Sequence, residues 1–152
     1  IIMLDSIVPK KVYGTIGQDQ LDILEKALDR HKDKYIVIAF HHHPVSMNSK
    51  WIDKIGVKNS AQFQELIAPH KNIRAVVCGH VHQESDQQVD GIRYISTPST
   101  CVQFKPKSQD FGIDSLGPGY RKLVLHSDGS IDTSVSRIEG VDFEIDYSQK
   151  GY

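Results

Sequence analysis

Apolar runs rich in β-branched residues recur at Ile1 to Leu4, Tyr35 to Phe40, Ile73 to Cys78 and Ile92 to Ser96, and alternation resumes at Leu123 to Leu125 and Ile131 to Val135. Each run predicts a strand. Between the first two, Gln18 to His31 sets Leu21, Leu24 and Leu28, with Ile23 and Ala27, at helical spacing, which predicts an amphipathic helix. A shorter helix is predicted from a cap at Asn59 or Ser60, with Phe63, Leu66 and Ile67 on one face and Pro69 near its end. Strand, helix, strand, helix, strand is the order of crossover units, hence of a parallel sheet covered by helices. The order then changes. Tyr120 to His126, Ser127-Asp128-Gly129 and Ser130 to Ile138 read as a hairpin about a glycine-containing turn. The predicted class is α/β, a mixed sheet with flanking helices and an antiparallel C-terminal hairpin as its edge. Residues 1–139 form the predicted domain. Residues 140–152, acidic and polar with scattered aromatics, are expected to wrap the surface or fray as a C-terminal tail.

At 152 residues, 39% hydrophobic and 24% charged, the chain has the size of one ordinary domain with a real core. Eighteen basic and 19 acidic residues are interspersed and leave a net charge of -1, so there is no basic stripe to meet a nucleic-acid polymer. Cys78 and Cys101 are too few for a disulfide framework and form no C-x-x-C pair, which predicts a reducing, cytoplasmic setting. No apolar run approaches the roughly 20 residues of a membrane helix. Ile1 to Asp5 lacks the basic region of a signal peptide and opens inside a strand-like run without an initiating methionine, so further residues are expected upstream.

The candidate chemistry lies where two predicted strands end. His41-His42-His43-Pro44 follows Tyr35 to Phe40, and Gly79-His80-Val81-His82 follows Ile73 to Cys78. In an open α/β sheet, ligands bind beyond the carboxyl ends of the strands, so both clusters are expected at one edge with imidazoles converging. Gly79 is expected to permit a tight turn or close backbone approach, and the i, i+2 spacing of His80 and His82 can aim two rings at two ions. A single histidine at a strand end is usually a hydrogen-bonded structural residue; two clusters after consecutive strands reverse that reading. Imidazole donors favour zinc, manganese or iron over magnesium or calcium. His31, His70 and His126 read as structural or solvated, and Cys78 as packing. Thr97-Pro98-Ser99-Thr100-Cys101, with Gln103 and Phe104, forms a loop able to flank the same pocket. Arg121 is able to attract phosphate but is expected on a solvent-exposed edge strand. Met47 and Trp51 fit either packing in the loop or covering a base.

The pair His-x-Pro and Gly-His-x-His resembles the second half of the calcineurin-like metallophosphoesterases. AFHHHPV, CGHVHQE, STPSTCVQFKP and PGYRKLVLHSDG, with the opening LDSIVP and the closing KGY, resemble the bacterial class III cyclic AMP phosphodiesterases over nearly the whole chain. The resemblance implies the C-terminal half of the metallophosphoesterase α/β sandwich, residues 1–139 being that portion of the domain. It implies two metal ions, with His42 and His80 holding one and His82 the other, while His41 and His43 flank the ligands. The family's Asp-x-His, Gly-Asp-x-x-Asp and Gly-Asn-His motifs, which supply the remaining ligands and the catalytic histidine, have no counterpart here. Asp29-Arg30-His31 fits the first by letter but ends a charged helix, and Asp5 has Ile7 where the histidine belongs. No catalytic residue is therefore expected within these residues, and none is assigned to substrate binding.

The implied activity is hydrolysis of 3',5'-cyclic AMP to AMP by a metal-activated hydroxide in the intact protein, with weak metal binding and negligible turnover by this chain alone. The alternatives are another phosphodiester or phosphomonoester as substrate, or a non-catalytic module whose histidines hold a structural metal or none. Self-association through surface exposed by truncation is also expected.

Overall fold

The computed structural model describes residues 1–140 and 144–148. Strands β1 (Ile2–Met3), β2 (Ile36–Phe40), β3 (Ile73–Cys78), β4 (Ser85–Val89) and β5 (Ile92–Ser96) form one sheet in the order β1-β2-β3-β5-β4. The first three and β5 are mutually parallel, and β4 runs antiparallel to β5. Helix α1 (Gln18–Arg30) carries the crossover between β1 and β2, and α2 (Ser60–Ile67) the one between β2 and β3. Leu21, Leu24 and Leu28 of α1 meet Phe63 and Ile67 of α2 and the sheet residues Ile36, Ile38, Phe40 and Val76 in a single buried core. Phe40 and Phe63 pack edge to face with centroids 5.1 Å apart. Burying one such side chain contributes about 1.5–3 kcal/mol, so the two apolar helix stripes are sufficient to fasten both helices to the sheet.

The α/β class and mixed sheet are as expected, but the antiparallel edge is β4, not the C-terminal hairpin. The polar run Ser85-Asp86-Gln87-Gln88-Val89 carries no hydrophobic signal. Its partner is set by the turn. Asp90 (φ 49°) and Gly91 (φ 80°) separate the paired residues Val89 and Ile92, the two-residue, left-handed geometry that an Asp-Gly pair favours. Arg93 then grips Asp86 through two hydrogen bonds of 2.8 and 2.6 Å.

The predicted hairpin forms as β8 (Gly119–Leu125) and β9 (Ile131–Arg137), a separate two-stranded sheet, following a short pair β6 (Gln103–Phe104) and β7 (Ile113–Asp114). Arg121 is half-buried rather than solvated. Its Nε donates to Ser96 O (2.9 Å), Nη1 to Thr133 Oγ1 (2.8 Å) and Nη2 to Ser85 O (3.3 Å), clamping the hairpin onto the ends of β5 and β4. The α2 cap also differs from expectation. Asn59 occupies the N-cap position without a side-chain cap bond; its amide instead clasps the backbone of Ile16, accepting from N at 3.0 Å and donating to O at 2.8 Å.

Met47, Ile52, Val81 and Phe104 form a second, smaller buried cluster, with Trp51 and Phe111 packed against it. Trp51 sits edge-on to Phe104 and Phe111 at 5.2 and 5.1 Å, so packing accounts for both loop residues, Met47 and Trp51. Of the predicted tail, only Gly140 and residues 144–148 are described, and the KGY end lies outside the described residues. Among the described residues no helix is long and apolar enough to cross a membrane.

Arg121→Met keeps the apolar stem and strips three donors from half-buried acceptors. Urea unfolding is expected to show a loss of about 1–3 kcal/mol, with the hairpin amides losing hydrogen-exchange protection before those of β2 and β3.

Candidate metal centre

Parallel pairing aligns Phe40 with Cys78, the last residues of adjacent strands, so the two histidine clusters leave the sheet at the same edge. Gly79 N donates to His41 O at 3.1 Å and continues the ladder one step beyond the strands. Ligand atoms of His41, His42 and His80 all lie within 4.8 Å of one another. Ring centroids are 4.9 Å apart for His41 and His42, 5.0 Å for His41 and His80 and 4.5 Å for His42 and His80.

Hydrogen bonds orient these rings. His42 Nδ1 lies 2.8 Å from the hydroxyl of Ser6, itself buried, and the ring also meets the Val12 backbone. His80 Nδ1 lies 3.2 Å from His41 Nε2. His80 Nε2 is buried without a hydrogen-bond partner. A buried nitrogen left unpaired is rare, and a cation is one of the few partners that would satisfy it. The group therefore fits a transition-metal ion.

His82 follows a different path. Its Nδ1 lies 3.0 Å from Val102 O, and its ring stacks on Phe104 at 4.3 Å with an interplanar angle of 7°. It does not join the three-histidine group, and its Nε2 is the nitrogen left for another ligand. His43 is buried, its Nε2 3.7 Å from Asp53 Oδ1 and its ring stacked on His80 at 5.7 Å. Asp53 in turn accepts from Ser46 Oγ and Met47 N, each at 2.7 Å, and from Ser49 N at 3.3 Å. His31, His70 and His126 lie outside the group, His126 pairing with Asp132 at 2.8 Å. Cys78 is buried and its thiol is pushed up to about 12 by burial, which suits packing and not ligation.

Burial keeps the cluster neutral. His80 is pushed down to about 3, by burial first and then by His42, His41, His43 and His82 around it. His43 is pushed down to about 4 by burial, against the opposing pull of Asp53. His41, His42 and His82 are lowered as well, each by burial. Near neutral pH every ring thus offers a lone pair, the form in which imidazole binds metals.

The backbone strain falls on the histidines themselves. His80 (φ 55°) and His82 (φ 49°) both adopt left-handed conformations, uncommon for residues other than glycine. Gly79 has no such φ, and a Cβ on it would meet His41 at an ordinary 3.6 Å, so the expected need for glycine there is not seen. Glycine is required elsewhere. A Cβ on Gly14 would overlap the His42 ring, and one on Gly56 would come within 2.8 Å of His43 Nε2. Gly14 N bonds to Gly56 O at 3.2 Å, so the two segments brace each other against the histidines. Ser6, Gly14, Asp53 and Gly56 were not read from the sequence as site residues. Ser6 lies within the LDSIVP segment, but its contact with a residue 36 positions away is set only by the fold.

Two recesses open beside the cluster. One of about 530 Å³ is lined by Ile7, Lys11, Val12, His41, His42 and His80 among others. The other, of about 290 Å³, has His80 and His82 on one side and the loop from Thr97 to Thr100 on the other, as expected for that loop.

No family model matches the chain. A Pseudomonas aeruginosa protein named 3',5'-cyclic adenosine monophosphate phosphodiesterase CpdA is 45% identical over 152 residues, covering 100% of this chain and 56% of that protein. The Haemophilus influenzae protein of the same name is 40% identical over 151 residues, covering 99% of this chain and 55% of its own length. The chain thus spans about half the length of the curated relatives it matches. Among solved structures, a dimetal phosphatase from Danio rerio is similar in fold, with a TM-score of 0.50 and 18% identity over 83% of this chain and 37% of that one.

Two outcomes follow from this geometry. Gly14→Ala is expected to displace His42 and weaken cobalt(II) or zinc binding by roughly tenfold or more, as loss of a ligand's support does, measured by titration of the chain. In the metal-free chain, the folded state holds His43 and His80 unprotonated well below the usual value of 6.5. The unfolded chain therefore binds more protons between about 6.5 and 3, and stability rises with pH across that window. Urea midpoints are expected to fall as the pH is lowered from 6.5 and to level off below about 3 for this contribution.

Proposed function

We propose that this chain, similar over its whole length to bacterial cyclic AMP phosphodiesterases, is part of a dinuclear-metal enzyme that hydrolyses 3',5'-cyclic AMP to AMP. The observation that carries the reading is the convergence of His42 and His80 from adjacent parallel strands, with a buried, unpartnered Nε2 on His80. On this reading His42 and the Nε2 atom of His80 hold one ion and His82 contributes to the other, the metals being iron, manganese or zinc. Imidazole nitrogens suit all three.

When bound, the ions supply Lewis acidity and neutralise the charge of the diester. The chain's own residues orient that centre. Ser6 turns the His42 ring through Nδ1, and His41 does the same for His80. Lys11, lining the larger recess, adds a cation near the anionic substrate. The Thr97 to Thr100 loop offers hydroxyls to the nucleotide across the smaller recess. In the overall reaction water forms a new bond to phosphorus, the bond to the 3' oxygen breaks, and that oxygen leaves as a hydroxyl, giving 5'-AMP.

One observation favours a second reading of the ligand set. His41 lies within the same donor group as His42 and His80, which would make a single three-histidine site with room for water in the fourth position. His41→Ala separates the two: it abolishes binding of that ion if His41 is a ligand and weakens it if His41 only orients His80. Another phosphodiester or a phosphomonoester remains the competing substrate class. A purely structural metal would sit in a closed, four-ligand site, and the open recesses beside His42, His80 and His82 weigh against it. We assign the protein to the cytoplasm. Ile1, Met3 and Ile7, exposed on and beside the edge strand β1, are the surface through which self-association would occur.

Cyclic AMP hydrolysis in excess manganese, compared between this chain and a protein extended upstream to the length of its relatives, tests the proposal. Turnover is expected from the longer protein, and His42→Ala or His80→Ala is expected to lower it by roughly a hundredfold or more, beyond the effect of losing a ligand's support. Turnover of other diesters but not of cyclic AMP would overturn the substrate assignment. Comparable activity from this chain alone would overturn the shared-site reading.

A further inference from the structure

Gln103 is one of the few buried polar side chains among the described residues, at 2% exposure, and both ends of its amide are engaged. Its Oε1 accepts from Ser99 N at 3.1 Å, and its Nε2 donates to Ser99 O at 2.8 Å and Cys101 O at 3.0 Å. Only one orientation of the amide works. Flipped, it would set an NH2 against an N–H and an oxygen against two carbonyls. Ser99 O also accepts from Gly119 N at 2.8 Å, and Cys101 N donates to Ser99 Oγ at 3.0 Å, so the loop is closed onto β8 and onto itself.

The residue that follows this clasped loop is Val102, whose carbonyl lies 3.0 Å from His82 Nδ1. A carbonyl only accepts, so Nδ1 must carry the proton and Nε2 the lone pair. Phe104, on the other side of Gln103, stacks on the His82 ring and fixes its plane. Three consecutive residues thus supply the acceptor, the clasp and the stacking surface for a histidine whose own backbone is left-handed.

We infer that Gln103 is a positioning residue for His82: its buried amide holds the 99–102 loop so that the Val102 carbonyl keeps His82 in the Nδ1–H tautomer with Nε2 free for a metal ion. The inference rests on the proposed centre only for what Nε2 faces. The tautomer itself is a property of this chain.

Long-range proton–nitrogen correlation NMR on the metal-free chain labelled with 15N-histidine, at a pH where the rings are neutral, reads it directly. His82 is expected as Nδ1–H in the wild type. In Gln103→Glu, a near-isostere that turns two donor contacts into repulsive ones, and in Gln103→Asn, one methylene too short to span them, the His82 shifts are expected to move to a tautomeric average. His126, paired with Asp132, serves as the unmoved control. An Nε2–H tautomer in the wild type, or an unchanged His82 in either folded variant, overturns the inference. Unfolding of even Gln103→Asn would show a role in stability alone and overturn it equally. Neither metal nor cyclic nucleotide is present, so the result stands apart from the phosphodiesterase reading, which the turnover comparison decides.

Discussion

The parallel register of β2 against β3 is the constraint from which the site derives. Because Phe40 is opposite Cys78, the first residues past each strand are also opposite, and the chain has no choice but to deliver His41, His42 and Gly79, His80 to one place. Parallel pairing needs long crossovers, and these are held by α1 and α2 packing Leu21, Leu24, Leu28, Phe63 and Ile67 into the core. A slip of one residue between the strands would turn core residues outward and separate the rings at the same time. Core packing and site geometry are therefore one requirement.

Crowding several imidazoles together has a physical consequence that suits the proposed role. Partial burial opposes protonation of each ring, and repulsion from neighbouring histidines adds to it at His42, His43, His80 and His82, so the cluster stays neutral and rich in lone pairs. The support is built from small groups and turns. Gly14 and Gly56 give room to the His42 and His43 rings, Ser6 turns one imidazole, and the Asp53 carboxylate gathers the loop after His43. The left-handed backbones at His80 and His82 are the local strain that this surrounding structure holds in place.

The hairpin β8–β9 shows how the remote part of the chain reaches the same centre. Arg121 ties it to Ser96 and Ser85, and Gly119 meets Ser99, so the loop from Thr97 to Cys101 is held between the central sheet and the hairpin. That loop forms one wall of the smaller recess and leads directly into Val102, whose carbonyl meets His82. Arg121, distant from the histidines in sequence, thus belongs to the frame of the site.

The strands β2, β3 and β5, both helices and the hairpin were legible in the sequence: the three strands and two helices bury apolar residues of the core, and the hairpin alternates about a glycine-containing turn, all of them local properties. So were the two histidine clusters and their common edge, since chain order and strand type imply a parallel sheet. Strand β4 escaped because Ser85 to Val89 is polar; its only local signal was the Asp90-Gly91 turn, and its stability comes from the strand it joins. Arg121 looked like a solvated edge residue, because its partners are carbonyls supplied by other segments. The grouping of His41 with His42 and His80, the separate setting of His82, and the roles of Ser6, Gly14 and Gly56 were decided by tertiary structure alone. Ring orientation depends on contacts between residues up to dozens of positions apart, and no local pattern encodes such contacts.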